Sequence, residues 1–390
     1  MQIRYSNQND KEHSKKIWEE IFRDSPSFTD FYFNFLHDSK NLLVASKAGN
    51  YIGSLYENSY SLHINGDNVF SKYIVGVVVK PEHRGEGVMR DLLSTSMIEN
   101  YHRGVPFFFL SPIDPTLYRN FGFEYCFDLE EYSFQIEELK SFKKKNDLIR
   151  ITSENINRYL VDLKSIYDFS MQSFTNYSTR EIEYFIRYLK ELESEDGQLY
   201  LALKDGRGVG YISFFQKENL LQVREIFFKN KETLSTLFFL LSSYINYFDK
   251  IEIISPIGKY LETYFPNQKK IKKNILPFLM GRILNLEKIF NQALLSKNIP
   301  HDIEVIFKVS DKIILENEGV WMIQKGQIKK IDSENWDFEI GIGELSQLLL
   351  GYYSLQEMIE LEKIKILCND RVIQLSNYFL KNKNYIQEYV

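Results

Sequence analysis

Arg84-Gly85-Glu86-Gly87 stands where an apolar β-branched run, Ile74 to Val79, gives way to Val88, Met89, Leu92 and Leu93 at helical spacing. Pro81 closes the strand, because it has no N–H to give to a ladder. The order is strand, glycine-bearing turn, helix start. The first N–H groups of a helix lack intrahelical partners and carry partial positive charge. Glycines without Cβ let a phosphate approach them. The chemistry open to this stretch is capture of a diphosphate by backbone amides instead of lysines. A plain strand-turn-helix connection needs no ligand. A nucleotide P-loop needs G-x-x-x-x-G-K-[ST], which is absent. A dinucleotide fingerprint needs G-x-G-x-x-G, where this chain reads G-E-G-V-M-R.

The pattern V-x-V-x-P-x-x-R-G-x-G resembles the coenzyme A pyrophosphate loop of the GNAT acyltransferases, written [QR]-x-x-G-x-[GA]. Arg84 and Gly87 fit it, and Met89 stands where Gly or Ala is usual. Gly-Val-Met-Arg at this point is similar to the enhanced intracellular survival (Eis) branch of that family. Further on, Tyr118-Arg119-Asn120-Phe121-Gly122-Phe123 matches Tyr-x-x-Phe-Gly-[FY], the motif that closes the GNAT fold. A tyrosine there is placed either for chemistry or for packing under the cofactor.

Around these residues the hydrophobic pattern sets out helices and strands. Residues 11–24 form an amphipathic helix with Ile17, Trp18, Ile21 and Phe22 on one face. Ser27 to Phe35 is densely aromatic, a core edge or the lining of an acceptor pocket. Strands follow at Asn41–Ser46 and Tyr51–Tyr60. The helix from Val88 stops at Gly104, and Val105–Leu110 is a buried strand. Glu124–Ile136 is the last strand of this region. The basic run 139–150 reads as a linker. A second region then repeats helix, helix, strand, strand, strand, helix, strand, but Lys229-Asn230-Lys231-Glu232-Thr233 holds no glycine where the cradle belongs. It is expected to bind no cofactor. The third region opens at Ile275–Phe290, with strands expected at 302–309, 312–316, 319–324 and 327–331. Ser354 and Glu357 form a capping box there, and Asn369 or Asp370 caps a helix over 372–380.

The expected fold class is α+β: tandem GNAT domains, the second degenerate, then a sterol carrier protein-like sandwich domain. The expected boundaries are 1–139 for acetyl-CoA binding, 140–274 for the degenerate copy and 275–390 for the last domain. Its Arg282-Ile283-Leu284 and Glu344 to Gly351 resemble the C-terminal domain of Eis proteins.

Composition narrows the function. The 390 residues are 44% hydrophobic and 26% charged, with net charge −5 and mixed signs, so no nucleic-acid face stands out. No apolar run long enough for a membrane span occurs, and Cys126 and Cys368 lie far apart, as in a reducing cytoplasm. The six histidines form no H-x-x-x-H pair, which disfavours a metal site.

Acetyl transfer from a thioester to an amine needs a base for the ammonium, donors for the oxyanion and a proton for the thiolate. The resemblance implies Tyr118 as the proton donor. It implies coenzyme A contacts at Val77, Val78 and Val79 and from Gly85 through Glu86, Gly87, Val88 and Met89 to Arg90, with Ile113 and Asp114 as weaker candidates. Arg84 fits the motif but is expected to face solvent. In the Eis family the terminal carboxylate returns to the active site, so Val390 is the expected general base and Glu388 a lesser stand-in. Tyr385, Ile386, Tyr389 and Val390 make the tail an anchor, which docks either for this purpose or only for stability. The resemblance further implies direct transfer from acetyl-CoA to a primary amine (aminoglycoside, polyamine or lysine-like), no metal, and a homohexamer. Two other functions fit: a protein lysine acetyltransferase, and a non-catalytic protein that carries an apolar ligand in its third domain.

Overall fold

The computed structural model describes residues 1–7, 9–292, 304–368, 372 and 375–389. The first region holds β1 (Gln2–Tyr5), α1 (Asp10–Phe22), α2 (Pro26–Phe31), β2 (Leu42–Lys47), β3 (Asn50–Ile64), β4 (Asp67–Val79), α3 (Val88–His102), β5 (Phe107–Leu110), α4 (Pro115–Arg119) and β6 (Glu124–Gln135). The second holds β7 (Asp147–Ile151), α5 (Leu160–Met171), β8 (Asn176–Ser178), α6 (Ile182–Ser194), β9 (Gln198–Lys204), β10 (Arg207–Lys217), β11 (Leu220–Phe228), α7 (Lys231–Ser242) and β12 (Lys250–Pro256). The third holds β13 (Lys272–Ile283), α8 (Leu286–Gln292), β14 (Glu304–Ser310), β15 (Gly319–Gln324), β16 (Gln327–Ile331), β17 (Phe338–Gly341), α9 (Ile342–Leu349), α10 (Leu355–Glu360), β18 (Lys365–Ile366) and β19 (Asn384–Tyr385).

The first two regions share one continuous sheet, in the order β1-β2-β3-β4-β5-β13-β6-β12-β11-β10-β9-β7. β6 pairs with β12, and β13 fills the place between β5 and β6. The strand that opens the third region is therefore built into the first, across the expected boundary at 274/275. The third region adds its own sheet, β16-β15-β14-β17-β18. Its apolar faces are continuous with the core under β3, β4 and β5, where Leu62, Tyr73 and Phe109 join Phe307, Phe338 and Leu348 in one cluster.

Two expectations change. The basic run does not end in a linker: Leu148 and Ile151 carry β7, which pairs with β9 at the sheet edge. Lys312–Glu316 is not a strand. The Asp311 carboxylate accepts the amides of Ile313 and Ile314, both at 3.0 Å, and turns the chain. The Ser354–Glu357 capping box is present, and it starts α10. The expected cap at Asn369 or Asp370 lies outside the described residues. Among the described residues no helix is long and apolar enough to cross a membrane.

Candidate active site

The site begins with a slip in register. β3 and β4 pair regularly up to Tyr56↔Val75, then resume at Ser54↔Val78, so Gly76 and Val77 together face Leu55. This is a β-bulge, and Gly76 adopts φ 59° to make it. A Cβ there would strike the ring of Trp18 from α1. β4 also pairs with β5, but the pairing ends at Ile74↔Leu110. From Val75 to Val79 β4 is no longer paired with β5, so the backbone of Val77, Val78 and Val79 has lost that neighbour along one edge. Amides along such an edge can pair with an extended ligand as an added strand would.

The glycine turn follows directly after this edge. Gly85 and Gly87 adopt φ 81° and 84°, a left-handed conformation that side chains resist. Gly87 caps α3, and the first turn-closing bond runs from the Asp91 amide to the Gly87 carbonyl at 3.0 Å. The amides of Val88, Met89 and Arg90 come before that bond, at the positive end of the helix. Space beside Gly85 is open, with nothing within 4 Å of a Cβ built there. This glycine-opened cradle fits a pyrophosphate. Val88 anchors it in the core, Glu86 pairs with Lys47 at 2.8 Å, and Arg84 and Arg90 are exposed. At the matching place in the second copy, Asn230 caps α7 and its Oδ1 accepts the Thr233 amide at 2.9 Å. A side chain occupies the position that the first copy leaves to glycine.

Tyr118 sits on α4, whose start Asp114 caps by accepting the Thr116 amide at 2.9 Å. Ile113, just before it, is 82% exposed. The tyrosine is buried among Leu55, Ile74, Leu93 and Phe123, and Val77 and Met89 pack against the same cluster. It therefore lies where the strand bulge and the cradle converge. Burial pushes its hydroxyl up to about 12, so it keeps its proton at neutral pH.

The tail docks on the opposite face of β4. Successive residues of a strand point to opposite sides, and Ile74 faces Tyr118 while Tyr73 belongs to the cluster under the third region. The Tyr73 hydroxyl donates to the Glu388 carbonyl at 3.1 Å. β19 pairs with β8, and Tyr385 and Ile386 are buried. The Glu388 carboxylate accepts from Ser178 at 2.7 Å, Tyr184 at 2.6 Å and Arg180 at 3.1 Å. Burial alone would raise its carboxyl; Arg180 and Arg187 outweigh this and hold it below the ordinary 4.5. Val390 lies outside the described residues.

Tyr389 lines a pocket of about 360 Å³ between the first and second regions. Asp24, Phe28, Glu191, Glu195, Phe215 and Arg224 share that lining. Arg224 pairs with Glu191 at 2.6 Å. Asp24 accepts the Trp18 indole N–H at 2.9 Å, and so connects the pocket to the bulge. Burial raises the Glu195 carboxyl. Sequence reasoning found neither the bulge nor this pocket. An isolated glycine inside an apolar strand was a signal for the bulge; the pocket's carboxylates come from separate regions and gave none. Among the described residues no group of three or more His, Cys, Asp or Glu is placed to hold a metal.

Two domain families and several solved structures match the chain. Residues 2–126 match the acetyltransferase (GNAT) domain, and residues 287–387 match the sterol carrier protein domain. No curated protein matches the sequence. Among solved structures, a probable N-acyltransferase from Enterococcus faecalis superposes with TM-score 0.85 at 16% identity, covering 100% of this chain and 99% of its own. A GCN5-related N-acetyltransferase from Anabaena variabilis gives 0.83 at 17%, and Eis1 from Mycobacterium abscessus 0.77 at 14%, each over 100% of both chains. At such identities the likeness is one of fold, and it extends over the whole chain. The chain thus carries a GNAT acetyltransferase domain at residues 2–126 and a sterol carrier protein domain at residues 287–387, on a fold that it shares along its whole length with these acyltransferase structures.

Proposed function

We propose that the protein transfers acetyl from acetyl-CoA directly to a primary amine. The observation that carries this is the meeting of three features at one point: the cradle at Gly85–Arg90, the strand edge at Val77–Val79, and the buried Tyr118 between them. In this reading the amides hold the pyrophosphate and the bulge backbone offers an N–H to the oxyanion. Ile113 and Asp114 border the same ligand. Acetyl-CoA supplies the activated acyl group. Tyr118 protonates the departing thiolate, and the Val390 carboxylate takes the proton of the amine.

The acceptor follows from the pocket at Tyr389. Three carboxylates line it against two cations, Lys217 and Arg224, which leaves one net negative charge; Arg224 pairs with Glu191 and lies over Tyr389, Lys217 lies over Phe215, and Asp24, Glu195 and the Phe28 ring are the groups that suit a small cation. Its volume is near the lower end for small-molecule sites, about 300–1,000 Å³. A polyamine or aminoglycoside fits that description better than a folded protein's lysine does. The carrier alternative has less support. The apolar cavity lined by Phe290, Phe307, Phe338, Leu345 and Phe379 measures about 20 Å³, enough for a water and far too small for a sterol.

The division at 139/140 and 274/275, a second copy without cofactor, a homohexameric assembly and a cytoplasmic location belong to the same proposal. CoA release across a panel of amines tests it, with the native chain and with one extended beyond Val390. Turnover restricted to the native chain supports the carboxylate base. Equal turnover by both chains rejects it.

A further inference from the structure

The third region holds the loop that follows Tyr118. Arg282 of β13 is fully buried, and its Nη2 donates to both oxygens of Asp311, at 2.8 and 2.9 Å. Its Nη1 donates to the Phe121 carbonyl. The amides of Phe121 and Phe123 in turn donate to the Tyr118 carbonyl, at 2.9 and 3.4 Å. The guanidinium is thus two hydrogen bonds from the backbone of the tyrosine.

The other end of this chain of contacts is fixed. Asp311 also accepts from the Asn317 side chain at 3.0 Å, and Asn317 donates to the Leu284 carbonyl at 2.8 Å. The turn held in this way delivers Ile314, fully buried, into the apolar cluster of Tyr118, with Ile313 beside it. Gly122 in the Tyr-x-x-Phe-Gly-Phe motif adopts φ 76°, and the space for its Cβ is filled by the Arg282 guanidinium and by Ile342 of α9. The glycine of the motif is therefore required by contacts with the third region as well as by the turn.

We propose that Arg282, Asp311 and Ile314 are positioning residues for Tyr118, through which the sterol carrier-like region sets the catalytic geometry of the GNAT domain. This rests on the reading of Tyr118 as proton donor. A buried arginine bonded to one carboxylate and one carbonyl has a fixed place, since its planar fork orients both partners. A proton donor displaced by about 1 Å loses up to ~100-fold in rate while leaving ground-state binding intact. A side chain that only joins two domains would affect the fold alone.

The test is a double-mutant cycle on the full chain, with kcat and the KM for acetyl-CoA as readouts. Arg282→Lys keeps the charge and loses the fork. Ile314→Ala removes a contact and leaves the ion pair whole, so it decides the matter if the lysine variant fails to fold. Each is expected to lower kcat about tenfold with the acetyl-CoA KM within about twofold, and to cause no further loss when Tyr118 is already Phe. Equal losses in both backgrounds, or losses confined to KM, would overturn the proposal. If Tyr118→Phe lowers kcat and neither variant does, only this inference fails. If Tyr118→Phe leaves kcat unchanged, the proton-donor reading fails and takes the inference with it.

Discussion

Arg180 and Glu388 form an ion pair at 3.1 Å with 0% and 2% of their side chains exposed. Arg180 belongs to the second region and Glu388 to the tail. Arg180 also grips Glu225 at 2.7 Å and lies over the rings of Tyr167 and Tyr184. The pair therefore locks the tail to the second region, beside β4 of the first. Removing one partner of a buried pair typically costs about 3–5 kcal/mol. Glu388→Gln should destabilise by about 3 kcal/mol, since Arg180 keeps Glu225. The carboxyl is held below its ordinary 4.5, so the unfolded chain takes up this proton first as pH falls. The stabilisation is whole above that value and disappears as pH falls through the folded one. Thermal melts of both proteins should differ at pH 7 and converge in strong acid.

The cradle predicts a difference between two similar helix starts. Gly87→Ala places a side chain at φ 84°, which costs about 1–2 kcal/mol, and pushes a methyl against the Arg90 guanidinium at 2.8 Å. The KM for acetyl-CoA should rise about tenfold. Asn230→Ala removes the cap of α7 and should cost about 1 kcal/mol of stability with no change in that KM.

Loss of the Tyr118 hydroxyl should act on chemistry alone. Tyr118→Phe keeps the ring in its cluster with Phe123 and Leu93. General acids contribute about 10²–10⁴-fold, so kcat should fall at least about a hundredfold. Acetyl-CoA affinity, measured by calorimetry, should change by less than about twofold.

The carboxylates of the pocket should select for charge. Glu195→Gln together with Asp24→Asn should raise the KM for a diamine about tenfold and leave the KM for acetyl-CoA unchanged. The effect should shrink in high salt, because the two charges stand in an open pocket.

The parts of the fold legible in the sequence are those built from neighbouring residues. The switch from the Ile74–Val79 run to helical spacing after Gly87 marks the end of β4, the turn and the start of α3, whereas β4 begins seven residues before that run, at Asp67. The capping box at Ser354 was legible for the same reason. What escaped depends on distant pairing. Nothing in Lys272–Ile283 tells that it will pair between β5 and β6. The bulge was written in one glycine, but its partner Trp18 is 58 residues away, counting from 18 to 76. The pocket brings Asp24, Glu195 and Tyr389 together from three regions, and no spacing rule connects them.

The most direct measurement is the structure of the protein with acetyl-CoA bound. The pyrophosphate is expected within hydrogen-bonding distance of the amides between Gly85 and Arg90, the pantetheine along Val77–Val79, and the sulfur beside the Tyr118 hydroxyl. An empty site at saturating acetyl-CoA, or a coenzyme seated at the Asn230 helix start instead, would contradict this placement.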